Sequence, residues 1–150
     1  MSRSGYTDDC ENVALWRQAV ERAAKGRRGQ AMLRELLEAL DAMPDKRLYR
    51  GSFATADGAF CTLGVLGAKR GTKMDDLGDE DWTDPELVGE RFGVAKALAA
   101  EIMYENDEGD PYWEAGTPES DAAEKRWRRM REWVAAQLAP GAENGEGAAP

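Results

Sequence analysis

Residues 30–43 read QAMLRELLEALDAM, and this stretch decides the fold. Leu33, Leu36, Leu37, Leu40 and Met43 recur at three- and four-residue intervals, which stacks them on one stripe of an α-helix. Arg34 and Glu38 stand four apart on the solvent side, a spacing that supports a helix. Pro44 stops the run. Upstream, Val13, Trp16, Val20 and Ala24 repeat the helical spacing. Thr7-Asp8-Asp9, with Glu11 three residues past Asp8, reads as the capped start of that helix. Gly26, preceded by Lys25, reads as its end. A link of about four residues makes the two helices antiparallel neighbours, an αα-hairpin.

Downstream the character changes. Tyr49, Phe53 and Thr55 alternate within 48–56 and Asp57-Gly58 follows, the signature of a hairpin turn. Phe60 to Arg70, FCTLGVLGAKR, reads as a short helix stopped by Gly71. Its Cys61, Gly64 and Ala68 share one face, and glycine inside a helix costs about 1 kcal/mol against alanine, so a close backbone approach is expected there. Residues 74–81 form an acidic loop, and Thr83-Asp84-Pro85-Glu86 starts a helix that runs to Phe92. After Gly93, Val94, Leu98 and Ile102 with Ala95, Ala99 and Met103 make another helix, ended by Asn106-Asp107. A loop with Tyr112 and Trp113 precedes Thr117-Pro118-Glu119, which starts the last helix. Ala123, Trp127, Met130, Val134 and Leu138 line its buried face up to Pro140. The fold class expected is mainly α: a compact bundle of about five or six helices with a candidate small two-stranded β-ribbon. One helical domain spans 7–139, and 140–150 is a disordered tail, being poor in apolar residues.

A chain of 150 residues can bury a core without disulfides, and two cysteines, Cys10 and Cys61, are too few for a disulfide scaffold. The net charge of −9 repels phosphate and anionic lipid, which disfavours direct nucleic-acid binding. No apolar run reaches the ~18–20 residues of a membrane span and the N-terminus lacks a secretory h-region, so no membrane partner and a cytoplasmic location are expected.

Histidine is absent, which removes Ser-His-Asp and Cys-His catalysis and, with two cysteines, leaves no zinc site to expect. No cofactor, metal or catalytic residue is assigned. Cys61 at a helix start has the position of an activated thiol, but packing is the plainer reading. Gly64, Gly67 and Gly71 match neither phosphate-loop pattern. Asp75 to Glu86 resembles a calcium loop at its ends, but Leu77 takes a ligand position and Glu80 the place of the required glycine. Lys125 to Arg131, KRWRRMR, has the mixture of arginine and tryptophan that can bind nucleic acid, yet Trp127 and Met130 belong to the core stripe.

The stretches GRRGQAMLRELLEALDAMPDKRL (26–48), FCTLGVLGAKRG (60–71), IMYEND (102–107) and TPES with RWRRMREWV (117–134) resemble a family of small phage and prophage proteins. That family shows a Cys-x-Leu-Gly-x-Leu helix, an Asn-Asp and a Thr-Pro-Glu helix start. The resemblance implies a phage or prophage context in a bacterial host and no particular activity. Residues 49–56 depart from it. The expected function is an accessory protein that binds a host or phage protein, with counter-defence inhibition as its form. The alternatives are a small-molecule or nucleotide sequestering protein and an acidic DNA mimic. The expected binding surface, for partner or ligand, gathers Cys61, Asn106, Asp107, Tyr112 and Trp113.

Overall fold

A computed structural model describes residues 13–55, 58–77, 83–109 and 119–139. Among them are six helices: α1 (Val13–Lys25), α2 (Arg27–Asp41), α3 (Thr62–Arg70), α4 (Pro85–Phe92), α5 (Lys96–Glu108) and α6 (Glu119–Gln137). The mainly α bundle expected from the periodicity is what forms. The Thr7–Glu11 cap and the 140–150 tail lie outside the described residues.

The α1–α2 hairpin is tighter than its sequence suggested, because Gly26 alone separates the two helices. Gly29 allows this: a Cβ there would run into the carbonyl of Ala23. Gln30 then locks the corner, its amide donating to Ala24 O at 2.7 Å and to Gln137 O at 2.9 Å on α6. Leu33, Leu36 and Leu40 are fully buried, as the opening stripe requires. Past the end of α2, Lys46 Nζ donates to Asp41 O at 2.9 Å and Met43 O at 2.7 Å, supplying the cation that a helix C-terminus favours.

Helix α2 packs against α1, α3 and α6, and α5 against α1, α3, α4 and α6. Helix α5 is buried on nearly every side from Ala97 to Met103. Local signals set the shorter helices. Asp84 accepts from Glu86 N at 3.0 Å with Pro85 in the first turn of α4, and Gly93 closes it at φ 76°. Gly71, at φ 68°, closes α3. No helix among the described residues is long and apolar enough to cross a membrane.

The ribbon contracts to one antiparallel bridge, Ala54 with Phe60, and no strand forms among the described residues. Thr55 N donates to Ala59 O at 2.8 Å, while Asp57 of the expected turn lies outside the described residues. Tyr49 N still donates across to Phe60 O at 2.9 Å, but strands do not grow further because the Leu48 and Gly51 amides and the Leu48 and Tyr49 carbonyls bond to helices. Leu48 N donates to Ala123 O at 3.0 Å, and Arg126 donates to Leu48 O at 2.9 Å. Helix α5 differs too: it runs through Asn106 and Asp107 to Glu108, with Gly109 as its cap.

Candidate functional site

Asn106 is fully buried in the last turn of α5. Its side-chain oxygen accepts from Thr62 N at 3.0 Å and from Thr62 Oγ1 at 2.7 Å. Its side-chain nitrogen donates to Tyr49 O at 3.0 Å and to Asp107 Oδ1 at 2.8 Å. Both amide donors are thus used, which is why this polar group tolerates a dry setting. Asp107 Oδ1 also accepts from Gly51 N at 3.2 Å. Helix α5 in this way holds both the 49–51 backbone and the first turn of α3.

Cys61 is 1% exposed and caps α3, its sulfur accepting from Gly64 N at 3.4 Å. Cys61 and Asn106 face inward, and Thr62, next to Cys61, bonds Asn106, so the three residues Cys61, Asn106 and Asp107 lie near one another. Tyr112 and Trp113 lie outside the described residues.

The fixed loop and helix present a surface. A groove of about 320 Å³ opens between the end of α2, the 58–60 turn and α3. Met43, Pro44, Tyr49, Phe60, Val65 and Ala68 line it. Asp45 and Arg47, an ion pair at 3.5 Å, stand at its polar edge. Val65 is buried in its floor, Tyr49 and Phe60 are half-buried, and Ala68 is exposed. From sequence Tyr49 reads only as a ribbon residue and Phe60 only as the start of a short helix; two aromatics flanking a Pro-ended helix and a glycine-rich helix were the available signal.

A second polar cluster lies between α1, α5 and α6. Arg17 Nη2 donates to Glu101 Oε1 at 2.9 Å, and a second guanidinium nitrogen touches the other carboxylate oxygen. Glu101 is 2% exposed, in an otherwise apolar stretch. Four residues on, burial raises the Glu105 carboxyl above its ordinary range and Glu101 adds to this, while Arg129 and Arg17 pull it down. Burial likewise raises the Tyr104 hydroxyl. The lone carboxylate within Val94–Met103 was the sequence signal for this cluster, and it was missed.

The arginines of KRWRRMR are engaged with the fold. Arg126 holds Leu48 O, Arg128 pairs with Glu124 at 2.8 Å, and Arg131 pairs with Asp41 at 2.9 Å. Arg129 donates to Glu105 O and Asn106 O, both at 3.2 Å. Trp127 Nε1 donates to Leu40 O at 3.1 Å, with Lys46 Nζ 5.2 Å from its ring centre. No group of three or more His, Cys, Asp or Glu among the described residues is arranged to hold a metal ion. Compared with protein-family models, with curated proteins and with solved structures, the chain matches none.

Proposed function

We propose that this chain is a phage- or prophage-associated accessory protein that binds a host or phage protein through the Tyr49–Phe60 groove, as a counter-defence inhibitor. The observation that carries the reading is the groove: an apolar concavity whose walls are fixed from behind by the Asn106 bonds. A rigid wall loses little entropy when a partner side chain enters it, so more of the contact energy becomes affinity. Aromatic lining is also what binding hot spots favour.

The charge distribution favours this reading over the acidic mimic. Of the 29 Asp and Glu, eleven fall outside the described residues, but of the 20 Lys and Arg only Arg3 does. The described body is therefore close to neutral, and many of its acids are paired with arginine or lysine. A mimic needs a continuous, unneutralised acidic face.

The test is native mass spectrometry of the gently purified chain from its own bacterial background, beside Ala68→Arg. That substitution places a long side chain across the groove from an exposed helical position. A heteromer is expected for the parent chain, weakened at least about tenfold in the variant. A parent chain that carries no protein would sink the reading; a heteromer indifferent to Ala68→Arg would sink the groove. The groove is also at the lower end of the ~300–1,000 Å³ typical of small-ligand sites. Sequestration of a compact ligand is therefore the second reading, and a small added mass on the bare chain is its expected signature.

A further inference from the structure

Residues 22–28 read RAAKGRR and wrap the corner where α1 turns into α2. Arg22, Lys25, Arg27 and Arg28 are all exposed. Among the described residues none of these four side chains has an ion-pair or hydrogen-bond partner. Elsewhere Arg17, Arg70, Arg91, Arg128 and Arg131 each hold a carboxylate.

Arg22 and Lys25 lie in the last turn of α1, where the helix dipole favours cations. Arg27 and Arg28 have no such reason. They occupy the first turn of α2, at the positive end of its dipole, with no acidic residue in that turn and no side-chain cap from Gly26. Neither burial nor pairing within the described fold offsets this. An anion from outside does. Arg28 also borders a hollow of about 450 Å³ shared with Lys96, whose other wall carries Glu86 and Glu90.

We propose that this corner docks a short acidic segment of a partner protein. The proposal rests on the protein-binding reading above but uses the opposite end of α2, roughly 20 Å from the groove at 1.5 Å per residue. A run of a few Asp or Glu brings charge to one point. A nucleic-acid duplex would extend its phosphates past the corner, over the exposed carboxylates of Glu86 and Glu90, which repel them.

The test is an amide-shift titration of the isotope-labelled full chain at low salt with a hexaglutamate peptide. A short DNA duplex and inorganic phosphate are run in parallel. Shifts are expected at residues 22–30 and Lys96. Arg27→Glu with Arg28→Glu should weaken the peptide at least about tenfold, as reversing a charge contact does. Both sites are exposed and the new charges suit the dipole, so the melting midpoint should not fall. Lys125→Glu on α6 and Ala68→Arg in the groove should leave the titration unchanged. The proposal is overturned if the peptide gives no shifts, if they spread along α6, or if duplex or phosphate binds as tightly. It is also overturned if the heteromer is lost with Ala68→Arg yet survives the double charge reversal, an outcome that leaves the groove reading standing.

Discussion

Asn106 joins three parts of the chain by side-chain bonds alone, so its removal strands several buried groups at once. Asn106→Ala leaves Thr62 N–H and the Tyr49 carbonyl without their partner. Unmet buried groups cost about 1–3 kcal/mol each, so a loss of about 3–5 kcal/mol is expected in urea denaturation. Asn106→Asp should cost as much, because a carboxylate cannot donate to Tyr49 O and would stand beside Asp107. A loss below about 1 kcal/mol for either variant would show that Tyr49 O finds another donor. From sequence, Asn106 reads as a helix end, because asparagine tolerates the left-handed turn. Its partners are 44 and 57 positions away, beyond any local pattern. Cys61 was legible as a helix-start residue, since its capping role depends only on the three residues that follow.

At the scale of elements, α3 shows why a helix keeps costly glycines. A Cβ on Gly64 would run into the carbonyl of Phe53, and one on Gly67 into the sulfur of Met74. Gly64→Ala should therefore forgo the ~1 kcal/mol that alanine ordinarily gains in a helix and lose about 1–3 kcal/mol to overpacking. Gly67→Ala should cost less, because the Met74 side chain can move and the Phe53 backbone cannot. Thermal melts of the two variants that rank the other way would contradict this account. The close approach was legible in the small-residue face of FCTLGVLGAKR, though not which segment approaches. The stops at Gly71 and Gly93 and the start at Asp84-Pro85 were legible because each is a local event. The ribbon was not, because its alternation is genuine and Tyr49 N does reach Phe60 O, but α5 and α6 take most of the other hydrogen bonds that strands would need.

For the whole molecule, net charge is a poor guide to the folded body. Several of the acids that remain there are tied to particular cations, which makes their response to acid predictable. Arg91 holds the Asp76 carboxyl at about 2, and Arg131 and Arg70 hold Asp41 and Glu35 below their ordinary values. A folded-state value below the unfolded one stabilises fully above the ordinary carboxylate range, and the contribution is lost as pH falls toward about 2. Arg131→Gln should therefore flatten the fall in urea midpoint below about pH 4. Glu105 has the opposite sign: its raised value means that its ionisation opposes folding as pH rises. Glu105→Gln should gain on the parent chain between about pH 4 and 7. A parallel pair of pH profiles would mean that Glu105 ionises as freely in the fold as outside it.

The bond from Thr62 N to Asn106 also decides how this part of the chain meets solvent over time. The first amides of a helix have no partner within it and ordinarily trade their hydrogen for deuterium early. Thr62 stands first in α3, yet its amide ends on a fully buried side chain of α5. Its deuterium uptake should wait until α3 and α5 part. A helix-start amide that exchanges as slowly as the core of α5 would make Thr62 a reporter of global opening.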